Sequence, residues 1–480
     1  MRLHSVRVRA RVLPPGPLAR RQPSGLRRLR GWLGSLALAL ACSNPSAALA
    51  ASGEEDAIAA LRRDVAAMRA DYEARIAQLE ARLATAESAL QTAAAGPASA
   101  APEPMPTAAP AAASSASAFN PAISAILQGR AAAIGGPDGS RDIPGFLLGG
   151  EAGVGPEGLS LGETELALSA NADDKFFGLV TVSLAADDGE TEVELEEAYL
   201  QTLALPAGFT LRAGQFFSGI GYQNGKHSHA WDFVDQPLAY EALLGGQLRD
   251  AGAQLSWVAP TDTYLQLGAE LLRGESFPAG GAAHDGLGAW SLFGRVSGEL
   301  GASNTWQAGV SYLSANPRGR ASEDRSGRVF DFSGDSDVWI AAFVWKWAPQ
   351  GNFRERNLVF QTELLHRHER GALDVSGLFG TYQGDQDGVY VQAAYQFVPR
   401  WRVGLRYDRL WSDDTLTGIP ASWLPDDEEP SRVSAMLDFS NSEFSRLRLQ
   451  WNHQWGGLDG DDAIFLQYIL SVGSHGAHEF

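Results

Sequence analysis

Two histidines and two aspartates lie close together in one segment, and their side chains are of types that bind metal ions. His227 and His229 are separated by one residue, so in extended backbone their imidazoles share a face. Asp232 and Asp235 follow a few residues later. Imidazole nitrogen combined with carboxylate oxygen is a ligand set that zinc accepts. The sequence therefore indicates a zinc site of His227, His229 and Asp232. The alternative, in which these histidines only hydrogen-bond to backbone and aromatic groups, stays open.

No metalloprotease or phosphate-binding motif appears in the chain. The sequence contains no His-Glu-x-x-His and no phosphate-binding loop. Serines and histidines are scattered through turn-rich stretches, where such side chains usually contact solvent. We predict that the protein is not an enzyme and that it has no resident cofactor, with zinc as the possible exception.

The elements that must position these residues are β-strands, and Trp401–Trp411 is the clearest of them. Trp401, Val403, Leu405 and Tyr407 alternate with polar residues that include Arg402 and Arg406. Ten steps of about 3.3 Å, tilted by about 40°, span about 25 Å, the height of the apolar band of an outer-membrane barrel. Aromatic residues at both ends of that span are typical of interfacial girdles. One face is therefore expected to contact lipid and the other a wet lumen.

Segments of this kind recur from Phe119 onward, with turn residues between them. Short turns such as Val398–Arg400 alternate with long connections, as in outer-membrane barrels. For this alternation to hold, Ala372–Thr381 must be loop, and only one of Ala122–Ala132 and Ile143–Gly153 can span the membrane. The predicted fold is all-β, a transmembrane antiparallel barrel of about 16 strands, with 18 possible, over residues 119–480.

The connection at residues 219–250 is unusually apolar and aromatic for a loop. Pro237–Leu244 is typical of a short helix with proline at its start. Loops of this length are often functional. We expect the loop to fold into the barrel and narrow it, with His227, His229, Trp231, Asp232 and Asp235 at the constriction. A lid packed on neighbouring loops or on an adjacent subunit is the alternative.

Charged residues on the lumen face are unevenly distributed along the chain. The earlier strands carry acids and the late strands carry arginines, namely Glu163, Glu165, Glu197 and Glu270 against Arg402, Arg406, Arg446 and Arg448. Opposed rows of this kind orient charged solutes and tune selectivity. The other interpretation is that these ions pair within the wall and keep it hydrated.

The first 118 residues predict three segments that precede the barrel. Residues 1–50 combine an Arg-rich start, an apolar run and Ala48-Leu49-Ala50, which indicates a signal peptide. A lipoprotein acylated at Cys42 is the alternative. Residues 54–94 carry a heptad seam with a stutter, typical of a coiled-coil helix. Residues 95–118 form an Ala/Pro/Ser linker.

The net charge of −19, with 57 acidic against 38 basic residues, excludes a nucleic-acid binder as the default interpretation. The terminal Phe480 resembles the assembly signal of outer-membrane proteins, although Gly476 and His478 interrupt the alternation before it. We therefore expect the lipid bilayer and the barrel-assembly machinery as partners.

Together these segments resemble bacterial outer-membrane porins, most of all those with a periplasmic N-terminal coiled coil, such as the phosphate-selective and siderophore-porin groups. The resemblance implies a homotrimer whose barrels are diffusion pores narrowed by an infolded loop. The His-x-His-Ala-Trp-Asp-Phe stretch at 227–233 is similar to sequences labelled zinc-regulated or TonB-dependent outer-membrane receptors. Coiled coil and linker before the barrel leave no room for the globular plug of such receptors.

The sequence thus predicts an outer-membrane porin for passive diffusion of small polar or charged solutes, with its coiled coil in the periplasm. One alternative is a dedicated uptake channel or receptor for zinc or a metal chelate such as a siderophore. Another is a structural anchor that tethers the outer membrane.

Overall fold

The computed structural model describes residues 121–135, 143–149, 152–153, 155–187, 190–281, 286–324, 326–424, 429–456 and 461–473. The predicted signal peptide, coiled coil and linker lie outside these residues, as does Phe480. Within the described part of the chain no helix is both long and apolar enough to cross a bilayer.

Alternating apolar and polar residues form strands throughout the described chain. The regular elements are β1 (Ala122–Ile134), β2 (Gly158–Leu161), β3 (Thr164–Asn171), β4 (Phe176–Asp187), β5 (Glu190–Thr202), β6 (Phe209–Phe217), α1 (Leu238–Leu244), β7 (Arg249–Val258), β8 (Tyr264–Leu272), β9 (Ala289–Glu299), β10 (Asn304–Ala315), β11 (Arg318–Glu323), β12 (Val329–Trp347), β13 (Asn357–Val375), β14 (Leu378–Val398), β15 (Trp401–Thr417), β16 (Ser431–Ser442), β17 (Ser445–Trp455) and β18 (Asp461–Gly473). Single 3-10 turns lie at Pro206–Gly208, Ser228–Ala230, Gly301–Ser303, Pro349–Gly351 and Ala421–Trp423.

Neighbouring strands pair antiparallel around a closed ring. The ring closes where β1 pairs with β18, from Ser124↔Gly473 to Ile134↔Ala463. The short strands β2 and β11 extend β3 and β10, because each pair shares one partner, β1 and β12 respectively. The 18 strands of the sheet therefore make a wall of 16 positions. The predicted antiparallel β-barrel of about 16 strands is confirmed.

The outer face of the wall is apolar, as the alternation in β15 predicts. Val403, Leu405 and Tyr407 are 41, 64 and 42% exposed, whereas Arg406 and Asp408 on the opposite face are 2 and 0% exposed. Large exposed apolar side chains recur on nearly every strand of the ring. A continuous apolar exterior around a closed sheet is the arrangement that lets strands cross a bilayer.

Turn lengths differ between the two ends of the barrel. The predicted short turns, such as Val398–Arg400, lie at the end where β1 begins and β18 ends. At the other end, the prediction that Ala372–Thr381 is loop is wrong, because β13 and β14 continue in register to Val375↔Leu378. Two paired strands can extend beyond the bilayer because their hydrogen bonds are made to each other, so the thickness of the bilayer does not limit their length. Of the two competing N-terminal segments, Ala122–Ile134 is the strand.

The inner face is not polar throughout, which differs from the predicted wet lining. One layer of lumen-facing side chains is apolar and packs around α1, and it includes Leu272, Leu313, Val338, Leu365 and Leu410. A second apolar layer lies inside the long hairpins, where Phe330, Phe332 and Tyr382 pack with Leu147. The segment 143–149 contributes to both clusters. These layers let the barrel interior hold folded chain as well as water.

Candidate functional site in the barrel lumen

The connection between β6 and β7, residues 218–248, lies inside the barrel, and we refer to it as the lumen loop. All seven residues of α1 are buried, and so is Phe233. Pro237 precedes the helix, and Gly245 ends it with a φ of 65°, a left-handed conformation that glycine adopts at little cost. The predicted segment 219–250 is slightly too long, because Arg249 and Asp250 already belong to β7.

Both histidines of the lumen loop face glutamates of the wall. His227 Nδ1 lies 3.1 Å from Glu196 Oε2 and 3.3 Å from Glu165 Oε2, and its Nε2 lies 3.0 Å from Glu197 Oε2. His229 Nδ1 lies 2.7 Å from Glu165 Oε1. The two imidazole rings stack with their centroids 5.6 Å apart. Strands β3 and β5 supply the glutamates, so two separate stretches of wall meet one turn of the loop.

The two imidazoles have different protonation preferences. Burial alone would lower the pKa of His227, but hydrogen bonds to Glu196 and Glu197 raise it well above the usual value. Burial and the neighbouring His227 lower the pKa of His229 to about 3. His227 therefore holds a proton more tightly than His229 does.

The two aspartates of the loop face arginines on the other side of the lumen. Asp232 Oδ1 accepts from Arg402 Nη1 at 3.0 Å, and Asp235 Oδ1 accepts from Arg406 Nη2 at 2.8 Å. Arg432 Nη1 lies 3.2 Å from the second oxygen of Asp235. Gln450 and Asn452 of β17 each donate to Asp235 at 2.7 Å.

Asp235 is the most completely coordinated side chain of the loop. Burial alone would raise the pKa of its carboxyl, but Arg406 and Arg432 hold that pKa well below its usual value. Its backbone carbonyl also accepts from Arg406 Nη1 at 2.8 Å. Asp235 therefore favours its ionised form more strongly than a free aspartate does.

Arginines of β17 bind the loop backbone. Arg446 donates to the carbonyl of His229, and Arg448 donates to the carbonyl of Trp231 at 2.9 Å. The Trp231 indole donates to the Lys226 carbonyl at 2.8 Å, so the loop itself orients the ring. The four predicted lumen arginines thus all contact the loop.

Two glutamates anchor the first residues of the lumen loop. Glu270 accepts from the Ser218 hydroxyl and from the Gly219 amide at 2.7 Å, and Gln254 and Ser291 complete its shell. Glu363 accepts from the amides of Tyr222 and Gln223 at 2.6 and 3.1 Å. Glu363 also accepts from the hydroxyls of Tyr240 and Tyr390. The predicted acids Glu165, Glu197 and Glu270 are lumen-facing and buried, and Glu163 lies beside Ser228 and Glu196.

Sequence reasoning missed several residues that hold the loop. They are Glu196, Glu241, Glu363, Asp408, Arg432 and Asp438, all buried. Asp408 and Asp438 occupy the polar phase of strands that were predicted correctly, so the alternation alone identifies them. The alternation of β5 changes phase at Glu196, because the exposed apolar residues are Val193 and Leu195 before it and Leu200 after it, and a local irregularity lets both Glu196 and Glu197 face inward.

A metal ion would have a different ligand set from the predicted one. Glu165, Glu196 and His227 present ligand atoms that all lie within 4.8 Å of one another. The structure places Asp232 beside Arg402, away from this group. The donor types fit a divalent cation, because carboxylate oxygen and imidazole nitrogen both bind zinc.

No protein-family model matches the sequence. A relative described as an uncharacterized protein of Aquifex aeolicus (strain VF5) is 31% identical over 340 residues, which cover 67% of this chain and 70% of the relative.

Solved structures to which this chain is similar include two described as outer-membrane proteins and one described as a porin. The outer-membrane channel DcaP of Acinetobacter baumannii has a TM-score of 0.49 at 15% identity, over 74% of this chain and 97% of that one. OmpT of Vibrio cholerae, in its trimer form, has a TM-score of 0.47 at 12% identity over 74 and 99%. An anion-selective porin from Comamonas acidovorans has a TM-score of 0.45 at 9% identity over 74 and 99%.

Proposed function

We propose that this chain, which belongs to the same family as the uncharacterized Aquifex aeolicus protein, is a porin of the bacterial outer membrane. In this proposal small polar or charged solutes cross the barrel passively, and the lumen loop sets the width and polarity of their path. The closed wall with an apolar exterior supports placement in the membrane.

One observation carries the proposal, namely that the lumen loop is held inside the closed wall by glutamates of β3, β5 and β8 and by arginines of β15–β17. Of these arginines Arg406, Arg432 and Arg448 are at most 2% exposed. At β9 and β10, Arg295 and Gln307 remain partly exposed and line a cavity of about 10 Å³ together with Gly221 and Tyr222, and Arg295 donates to the Gly221 carbonyl at 3.1 Å. That cavity has room for about one water. The narrow path is therefore expected to run along β9 and β10.

Conductance of the reconstituted full chain tests this function. In planar bilayers the wild type should give small, discrete conductance steps. A variant in which residues 222–246 are replaced by a short Gly/Ser linker should give steps several-fold larger, because a 16-stranded barrel without an infolded loop leaves an aqueous channel. Arg409→Ala is the matched control, since Arg409 pairs with Glu429 at a partly exposed site outside the lumen loop and should leave the steps unchanged.

The same recording distinguishes the structural anchor. Absence of discrete conductance from both the wild type and the loop-replaced variant, with both barrels folded, would contradict the porin and favour an outer-membrane tether. Folding is checked by the slower migration of the unheated barrel in detergent gels.

Assembly is a further part of the proposal, and it depends on sequence features. We propose a homotrimer with residues 54–94 as a periplasmic coiled coil and with Phe480 as the signal to the barrel-assembly machinery. Light scattering of the detergent-purified protein should give a mass three times that of one chain. If a variant lacking residues 54–94 still has three times the mass of its own chain, the coiled coil is not required for trimer assembly.

A second candidate function is uptake of a divalent cation or a metal chelate. The meeting of Glu165, Glu196 and His227 in the lumen favours it. If metal is the solute, Zn²⁺ should block or alter the single-channel current of the wild type and leave that of His227→Ala unchanged.

A further inference from the structure

Side chains with metal-ligating atoms converge on one side of the lumen, and we refer to them as the acidic cluster. Its members are Glu163, Glu165, Glu196, Glu197, His227 and His229. Two of them come from the lumen loop and four from the wall near or in β3 and β5. Residues so far apart in the chain meet only because the loop folds inward.

The spacing of the ligand atoms matches that around a small cation. His227 Nδ1 lies 3.1 Å from a Glu196 oxygen and 3.3 Å from a Glu165 oxygen. Bonds of about 2.1 Å at a tetrahedral zinc place neighbouring ligand atoms about 3.4 Å apart. Both distances from His227 are therefore within a few tenths of an ångström of that spacing, and all three ligand atoms lie within 4.8 Å of one another.

A β-bulge brings Glu196 into the cluster. The pairing of β4 with β5 passes from Thr181↔Glu197 to Val182↔Leu195, which leaves Glu196 as an extra residue. In a regular strand one of two consecutive side chains would face lipid. Here Glu196 and Glu197 are both buried, at 1 and 6% exposure. Bulges re-aim side chains and are frequent beside functional sites.

The side chains of the cluster are mostly acidic. The carboxyl groups of Glu165, Glu196 and Glu197 all contact imidazoles, so three acids share two bases. Burying carboxyl groups is costly unless they are protonated, paired or coordinate a metal. A divalent ion would displace the protons that this group holds and take their place.

We propose that Glu165, Glu196 and His227 bind a divalent transition-metal cation of the zinc type, with Glu197 and His229 next to the ion. Imidazole together with carboxylate suits Zn²⁺, Ni²⁺ and Cu²⁺ more than Mg²⁺ or Ca²⁺, which prefer oxygen alone. What the site means for transport rests on the second candidate function, but binding is measured without any transport assay.

Titration of the chelator-stripped full chain in detergent tests the proposal. Zn²⁺ affinity is followed by calorimetry, and Co²⁺ is followed by its visible absorption, which reports nitrogen and oxygen ligands at the ion. His227→Ala and Glu196→Gln should each weaken this binding at least about tenfold. His366→Ala is the matched control, because it removes an imidazole from a His–Asp pair of 2.9 Å elsewhere in the wall and should bind as the wild type does.

Equal affinity of the wild type and both cluster variants would overturn the site, and so would an equal loss in His366→Ala. If His227→Ala does not form a folded barrel, the nearly isosteric Glu196→Gln decides the matter. A barrel that conducts but shows no cluster-dependent Co²⁺ absorption would refute the metal site and leave the porin intact.

Discussion

The lumen loop contacts a basic side and an acidic side of the barrel wall, and the two sides differ in where the partners of their charged residues come from. On the basic side, wall aspartates already pair with the arginines: Arg406 Nε lies 2.9 Å from Asp408, and Arg448 Nε lies 2.7 Å from Asp438. Asp232 and Asp235 of the loop join an existing network. On the acidic side, the glutamates pair with imidazoles that the loop itself supplies. The basic side is thus already paired within the wall, whereas on the acidic side the loop supplies the partners and, in our proposal, binds a metal ion.

Removal of Asp235 should give the largest effect. Asp235→Ala removes one carboxylate from Arg406, which keeps Asp408, and one from Arg432, which keeps Glu241; breaking a buried pair costs up to about 3–5 kcal/mol. We expect that decrease in the free energy of unfolding by urea in detergent micelles, together with larger conductance steps as the loop loosens. Asp235→Asn, which keeps the shape and the Gln450 contact, should lose less. An Asp235→Ala variant with an unchanged free energy of unfolding would contradict the difference between the two sides.

The same attachment has a defined pH dependence. Because the folded pKa of Asp235 lies below its unfolded value, its stabilisation is present above the unfolded pKa of about 4 and is lost as the pH falls through the folded pKa. The unfolding free energy of the wild type should therefore fall more steeply below pH 4 than that of Asp235→Asn.

Zinc should produce the next largest change, and only on the acidic side. At a free concentration of about 100 times its Kd, a ligand that binds only the folded state adds about 2.7 kcal/mol. The melting temperature of the wild type should rise with Zn²⁺, and that of His227→Ala should stay constant. An equal rise of the melting temperature in both proteins would mean that Zn²⁺ does not bind through His227 on the acidic side.

Glu363→Gln should have an intermediate effect, because this carboxylate fastens the beginning of the loop. It accepts from two backbone amides and two tyrosine hydroxyls, and hydrogen bonds to a charged group contribute about 1.5–3 kcal/mol each. Since glutamine keeps one acceptor oxygen, we expect a loss of about 2 kcal/mol in urea unfolding. Glu355→Gln, at an exposed turn, makes the same change of net charge and is the control.

The smallest effect should come from Arg409→Ala. Arg409 and Glu429 form an ion pair whose side chains are 42 and 37% exposed. Exposed pairs contribute at most about 1 kcal/mol because water screens them. Urea unfolding should therefore change by less than that amount. A larger loss would mean that charge pairs on this barrel count regardless of their burial.

The barrel was predictable because its outer face obeys one rule in every strand. Trp401, Val403 and Leu405 must contact lipid, so period-two alternation persists and the short turns stand out. Strand length beyond the bilayer was not predictable in this way, and β13 and β14 therefore extend through the stretch that was expected to be loop.

The site was predictable only in part. The composition of residues 219–250 indicates an infolded loop, and the polar phase of β15 identifies Arg402 and Arg406. The partners of His227 depend on a bulge at Glu196, which shifts one residue across the wall. The apolar layer around α1 left a weak signal, since Leu271-Leu272 and Leu364-Leu365 place apolar residues on both faces.

The seam between β1 and β18 joins the two ends of the wall. Until these strands pair, the sheet has two edge strands with unpaired backbone groups that can pair with other chains, and the wall around the apolar surface of α1 is incomplete. Pairing of β1 with β18 removes both edges and completes the wall. Pairing of β1 with β18 therefore separates an aggregation-prone open sheet from a closed barrel that contains the lumen loop.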